Sequence, residues 1–478
     1  MAYFFKPKRE RLLSDELPYL TEEGAKSILH LKDGAFTKSF LISPKNLISS
    51  TDEDLEFLKA GLSHSLGELP EGSLIQILFV RQKSNPRTDE AIRNWENSHN
   101  QKEGDSDLFL AKRNLIESQI KRDELYETKI LITLRVPNEF KINTFSKLSP
   151  LSFLRISEKN QAGKSNESVQ EELEKTVYSF REKLNDLGFE TSDLSSKEKI
   201  KFLFEYFNPK RSFPESFNVE TSDLSNAITL TDLVESKSGV SLGNTRLRIG
   251  TLKNLPESSA PGILGHFSSK TNSFILTTTI LVLSQTEEKE KLSRRQRLAT
   301  GMAGGNAVRN LSAEAQLLDI EQTLTSMIET GEKLFATSFH LTFFEKDENS
   351  LFLSELADAE RIGAGCRWFE ETVGAYPVFF GILPFAPQFL VRPKRVLSSV
   401  LSDLLPVYGI GAGHSNAEVL FETPYQSAIG FSLFEKSPSG NGLLIGSTGT
   451  GKSTLACGLI LGMLAQNPNA ETKVGGAA

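Results

Sequence analysis

With 478 residues, 38% of them hydrophobic and 24% charged, and a mean hydropathy of −0.24, the chain is long enough for about three domains and excludes a collagen-like, low-complexity or wholly disordered polymer. A formal net charge of −7 excludes a generic nucleic-acid coat held on by phosphate neutralisation, so DNA contact is not evident and any such contact would be local. Two cysteines, Cys366 and Cys457, cannot frame a disulfide scaffold, which points to a reducing, intracellular compartment.

At the N-terminus Phe4 and Phe5 run straight into Lys6, Lys8, Arg9 and Arg11, leaving no apolar core for a signal peptide. Residues 1–137 read as a small α+β unit. Its strands are expected at Ser27–Leu31, Phe36–Ile42, Leu74–Val80 and Ile130–Val136. Between them, Ser50 and Glu53 fit a capping box ahead of Leu55, Leu58, Leu62 and Leu66, which recur at helical spacing. A polar insertion near 83–107, broken at Asn85-Pro86, precedes a helix over Leu108–Leu125.

Residues 138–245 read as a helical pair and a linker. Ser168 and Glu171 cap a helix with the stripe Val169, Leu173, Val177, Phe180, Leu184 and Leu187. Ser195 and Glu198 cap a second, carrying Ile200, Leu203, Phe204 and Phe207 and stopped by Asn208-Pro209. The stretch Lys210–Asn244, rich in Ser, Thr and Asn, is the expected linker.

Residues 246–434 read as an α+β region with long helices. A β-branched strand is expected at Phe274–Leu283. Helices follow at Glu287–Arg297 and Ser312–Leu334, interrupted at Gly301, Gly304 and Gly305, then a strand at Ser338–Phe344 and a helix over Leu351–Ile362. The uncharged stretch Ala375–Val391 has 17 residues and contains Pro377, Pro384 and Pro387, which suits a buried strand and Pro-rich loop better than a membrane span. Arg392, Lys394 and Arg395 follow it directly, where such cations could face anionic lipid or a partner.

One motif carries chemistry. After Ser437–Asn441 comes the apolar run Leu443-Leu444-Ile445, expected as a strand, then Gly446-Ser447-Thr448-Gly449-Thr450-Gly451-Lys452-Ser453-Thr454, then a helix over Leu455–Gln466. Gly446, Gly451, Lys452 and Ser453 satisfy the spacing of a phosphate-binding P-loop. Glycines let the backbone curl so that consecutive N–H groups face an anion, and the following helix adds its positive end. Lys452 is placed to neutralise the β- and γ-phosphates of ATP, and the Ser453 hydroxyl to ligate Mg²⁺.

Other candidates are weaker. Gly163-Lys164-Ser165 lacks the upstream glycine, since that position is Glu158. Gly409, Gly411 and Gly413 lack the third spacing of a dinucleotide fingerprint. The histidines are scattered without metal-ligand spacing, and Cys457 reads as a small packed side chain.

The segment Phe421-Glu422-Thr423-Pro424 to Gly430–Phe434, continued by Asn441–Gly446 into the P-loop, resembles the start of the ATPase domain of the TraC-type conjugative-transfer ATPases, the VirB-class motors of type IV secretion. The resemblance implies an α+β N-terminal region of mixed sheets with helices. The first strand, loop and helix of a P-loop α/β ATPase domain then follow, incomplete, at 435–478. It also implies a cytoplasmic ATPase peripheral to the inner membrane, docked on inner-membrane components of the secretion machine, forming a homo-oligomer or hexamer, and powering pilus assembly and substrate transfer. In that reading Gly446, Gly449, Gly451, Lys452, Ser453 and Thr454 hold the ATP phosphates and Mg²⁺. The sequence departs from the family in having 26 residues after Lys452, with no Walker B acid, water-polarising glutamate or arginine finger among them. A truncated motor that does not hydrolyse ATP alone, with docking as its residual role, is therefore expected. The alternatives are a non-hydrolysing structural or regulatory subunit that joins a full-length motor, and a DNA-translocating motor outside secretion. From Asn441 onward poor packing is expected, since an apolar strand without parallel neighbours leaves its backbone groups exposed.

Overall fold

In the computed structural model, residues 12–466 are described, except 48–49, 86–88, 101–106, 123–124, 138–139, 146–152, 159–165, 218–222, 237–238, 257, 266, 268–271, 304–310, 346–355, 358–359, 361–364 and 436–440. The readings made for the first residues, for Gly163-Lys164-Ser165, for Gly304 and Gly305 and for most of Leu351–Ile362 lie outside them.

After a helical turn, α1 (Leu13–Glu16), the chain builds a meander of β1 (Tyr19–Glu23), β2 (Ile28–Leu31) and β3 (Phe36–Ile42), then α2 (Asp52–Gly67) and β4 (Leu74–Lys83). Here α2 starts one residue later than the sequence suggests. The capping box is Thr51 with Asp54, not Ser50 with Glu53: each side chain accepts the other's backbone N–H. The polar insertion after β4 is helical over Glu90–Asn100. It folds into α3 (Glu90–Asn100) and α4 (Asp107–Lys121), a helical hairpin that returns to β5 (Tyr126–Arg135).

A small hairpin, β6 (Phe140–Phe145) and β7 (Phe153–Glu158), leads to α5 (Asn166–Asp186), β8 (Thr191–Asp193) and α6 (Ser196–Phe207). Because α5 begins at Asn166, Ser168 lies inside the helix rather than capping it. The box Ser195–Glu198 forms on α6, and Asn208 ends it. The expected linker Lys210–Asn244 instead carries α7 (Leu224–Ile228), β9 (Leu233–Ser236) and β10 (Gly239–Leu242). Of these, β9 is the exposed edge strand, which tolerates polar residues, while β10 is buried between β9 and the strand Thr245–Asn254.

Then come β11 (Thr245–Asn254), β12 (Phe274–Val282), the helical hairpin α8 (Gln285–Ala303) and α9 (Leu311–Thr325), and β13 (Leu334–Glu345). Gly301 is accommodated within α8. After a π-helical turn, Ser326–Thr330, the chain leaves α9 at Gly331 in a left-handed conformation (φ 70°), three residues before the position expected. Next are β14 (Arg367–Glu370), α10 (Ala375–Gly381), β15 (Phe389–Val391), β16 (Lys394–Leu397), α11 (Ser398–Asp403), β17 (Val419–Glu422), β18 (Ala428–Phe431) and α12 (Lys452–Gln466). The uncharged stretch is thus a seven-residue helix, a Pro-containing turn and a three-residue strand. Among the described residues no helix is long and apolar enough to cross a membrane.

Among the described residues thirteen strands share one sheet with the path β1-β2-β3-β5-β4-β12-β13-β11-β10-β9, and β8, β14 and β16 add to β3, β11 and β13. All its strand pairs are antiparallel, where a mixed sheet was expected. The pair β4–β12, from Phe274 opposite Arg81 to Leu281 opposite Leu74, joins the stretches 1–137 and 246–434 in that sheet. The order repeats outward from this pair: a strand, a helical hairpin, a second strand, a meander, and a short strand added to the meander's inner member. No sequence repeat announces it, because strands need only the same pairing and burial, not the same residues. Both faces are buried. Ile75, Ile77 and Phe79 of β4 meet Leu58, Leu62 and Leu66 of α2 and the α5 stripe on one side, while Leu78 and Val80 share the opposite core with Ile200 and Leu203 of α6 and Val378 and Phe379 of α10.

Candidate functional site

The hairpin β17–β18 sits on α3–α4 rather than on the main sheet. Ala91, Ile92 and Trp95 of α3 and Phe109 and Ile116 of α4 form a separate core with Ala417, Leu420 and Ala428. Ser98 Oγ donates to the Ala417 carbonyl at 2.6 Å, and Gln119 Nε2 to Glu422 Oε2 at 2.7 Å. The glycine-rich loop serves this seat. Gly413 has φ 85°, and a Cβ there would lie 2.0 Å from the Gly430 carbonyl oxygen, so only glycine permits the approach.

Arg81 ties the platform to the sheet. It is 1% exposed, and its guanidinium donates to Ser427 Oγ at 2.8 Å, Thr128 Oγ1 at 3.0 Å and the Tyr425 carbonyl at 2.6 Å. It also lies 5.3 Å from the centre of the Tyr126 ring, and burial brings its pKa down to about 10, so it stays charged at neutral pH. Asp89 accepts from the Ala91 and Ile92 N–H groups at the start of α3 and from Ser84 Oγ. Burial, then the Glu127 charge, raises its carboxyl pKa to about 6.

On this platform α12 packs against α3, α4 and β17. Contact with β17 runs through Gly462: a Cβ there would lie 2.3 Å from Val419 Cγ2 and 3.0 Å from the Glu418 carbonyl oxygen. Ahead of it, Leu443-Leu444-Ile445 forms no strand and stays exposed, at 83%, 43% and 85%. With no strand beside it among the described residues, the apolar run gains nothing by extending. Cys457, expected to be packed, is exposed.

Gly446, Gly449, Gly451, Lys452, Ser453 and Thr454 lie together where the turn enters α12. Gly449 and Gly451 both have φ 84°, and no atom lies within 4 Å of a Cβ built on either. That backbone is one L side chains rarely adopt, and it leaves the turn ahead of the helix open on its outer side. Lys452 Nζ donates to the Gly446 and Ser447 carbonyls at 2.7 and 2.6 Å, and Thr450 Oγ1 to the Ser447 carbonyl at 2.7 Å. An ammonium at the mouth of a glycine cradle, with Ser453 and Thr454 hydroxyls exposed at the first helical turn, fits a phosphate chain and a hard cation. No group of His, Cys, Asp and Glu that could hold a metal occurs among the described residues.

The platform was not legible beforehand. Ala91, Ile92 and Trp95 do have helical spacing, but they stand in a stretch that reads as a polar insertion, and the expected strand Leu74–Val80 stops just short of Arg81.

Comparison with known proteins adds the family. The profile of the family described as TraC protein matches residues 13–387, most of the chain, and stops short of the segment Gly446–Thr454. A probable conjugal transfer protein TrbE of Sinorhizobium fredii (strain NBRC 101917 / NGR234) is 25% identical over 236 residues, covering 44% of this chain and 35% of that protein. The chain therefore matches about a third of the length of this curated relative.

Proposed function

The chain belongs to the TraC protein family, and from that premise we propose that it is an ATP-binding part of a motor for conjugative transfer by type IV secretion, serving pilus assembly and substrate transfer. The conjugal transfer relative supports the machine context. Residues 435–478 are then the start of a nucleotide-binding unit, and 1–137, 138–245 and 246–434 are the parts that dock on inner-membrane components and on further copies of the motor.

One observation carries the nucleotide reading: Gly449 and Gly451 hold left-handed backbone with open space around them, directly ahead of the helix that begins at Lys452. Bound ATP with Mg²⁺ supplies a phosphate chain whose charge such a loop is built to hold. The Gly446, Gly449 and Gly451 backbone forms the cradle, Lys452 turns from the loop carbonyls to the phosphates, and the Ser453 and Thr454 hydroxyls face the phosphates and the cation. The platform couples this loop to the large sheet through Arg81 and Gly462.

Equilibrium binding of ATP with Mg²⁺ to the full chain tests the reading. Wild-type protein should bind, and Lys452→Ala should lose binding with an unchanged unfolding temperature, because Lys452 bonds only its own loop. Absence of binding in the wild type, or equal binding by Lys452→Ala, refutes it.

A further inference from the structure

The cations after the uncharged stretch part company in the folded chain. Arg395 reaches α8, where its Nε donates to Glu288 Oε2 at 2.7 Å. Arg392 and Lys394 instead line an open cleft of about 430 Å³ with Leu252 and Lys253 of β11, Phe369 of β14 and Pro393.

Arg392 is held there against its backbone preference. Its φ is 52°, a left-handed value uncommon outside glycine. The guanidinium donates to both Glu371 carboxylate oxygens, at 2.5 and 3.1 Å, and sits 4.7 Å from the centre of the Phe369 ring. His340, bonded to the Val391 backbone, adds no charge, since burial brings its pKa down to about 3. Lys253 and Lys394 have no acidic partner among the described residues. Burial, then the charges of Arg392 and Lys253, lowers the Lys394 pKa.

Three cations gathered at one concave surface repel each other, and of the described carboxylates only Glu371 is paired with any of them. Strained backbone and a clamped arginine maintain this arrangement, whose positive potential suits an incoming anion. We infer that the cleft between β11, β14 and the β15–β16 turn binds a phosphate group, through Lys253 and Lys394 and the N–H groups of Arg392 that Glu371 leaves free. Phosphate of a lipid headgroup and free phosphate share this chemistry. Val373, two residues along the chain from Glu371, is 83% exposed, and an exposed apolar side chain so close in sequence to the carboxylate that clamps Arg392 favours the headgroup of an anionic lipid.

The test uses the full chain carrying Lys452→Ala, which removes the P-loop's own affinity for phosphate. Co-sedimentation is measured with vesicles of phosphatidylcholine alone and with added phosphatidylglycerol, and inorganic phosphate is titrated both directly and as competitor. Binding to the phosphatidylglycerol vesicles alone supports the lipid source, whereas binding or competition by inorganic phosphate supports the free one. In either arm the double substitution Lys253→Ala with Lys394→Ala should weaken binding about 25-fold, and Lys253→Arg with Lys394→Arg should retain it. Glu371→Gln, which releases the guanidinium, should strengthen it. Failure to bind both phosphate and anionic vesicles, or binding that the double alanine substitution leaves unchanged, overturns the inference.

Discussion

Two glycines of α12 give a paired test of how that helix is seated. At Gly458 and Gly462 alike, alanine raises intrinsic helix stability by about 1 kcal/mol. At Gly458 a new Cβ meets nothing within 4 Å, so that gain is all that changes. At Gly462 the Cβ would lie 2.3 Å from Val419 Cγ2 and 3.0 Å from the Glu418 carbonyl oxygen. Val419 is β-branched and stiff, and Glu418 is anchored by its N–H bond to the Phe431 carbonyl at 2.9 Å, so neither gives way cheaply. Overpacking of this kind costs about 1–3 kcal/mol, which leaves Gly462→Ala between neutral and about 2 kcal/mol destabilising for the docked helix. Amide hydrogen exchange over Lys452–Gln466 reads the difference. Gly458→Ala should slow it about 5-fold, and Gly462→Ala should leave it unchanged or speed it up to about 30-fold. Equal slowing by both would mean that α12 does not rest on β17, and the platform argument would fall.

Further outcomes follow from the buried polar groups. Asp89 has its carboxyl raised from 3.8 to about 6, so between those values the folded chain holds a proton that the unfolded chain has lost; its contribution favours folding as pH falls from about 6 to 4, by ~3 kcal/mol. Asp89→Asn should remove that part of the pH dependence in denaturant titrations. Arg81→Met strands the Ser427, Thr128 and Tyr425 acceptors and should cost about 2–4 kcal/mol, with faster proteolysis within 412–434 as its local sign. Lys199 and Glu22 form a buried pair at 2.7 Å with both side chains fully enclosed. Lys199→Met alone should destabilise by about 3–5 kcal/mol, and Glu22→Gln added to it should recover part of the loss in thermal unfolding.

Local signals were legible wherever one element contains its own cause. The α6 box of Ser195 and Glu198 and its stop at Asn208 need only neighbours in sequence, as do the stripe of α5 and the β-branched run of β12. Composition misled where packing overrides it. The stretch 83–107 is polar, yet it forms part of a helical hairpin because three residues, Ala91, Ile92 and Trp95, find a partner surface more than 300 positions away. In 210–244 short strands form on the edge of a sheet already built by others.

For the candidate site, the spacing that suggests a phosphate loop is readable in the sequence alone. The glycine spacing, the lysine and the hydroxyls from Gly446 to Thr454 are a local code, since phosphate recognition by backbone N–H groups needs only a short curled segment and a helix start. Tertiary structure decided what that loop stands on. The exposed run Leu443–Ile445 has the residues of a buried strand and lacks the partners to become one, while Gly462 and Arg81 acquire their roles from Val419, Glu418 and Ser427, which only folding brings near. Strand formation and close packing depend on residues distant in sequence, and no periodicity within a segment encodes which surface will meet it.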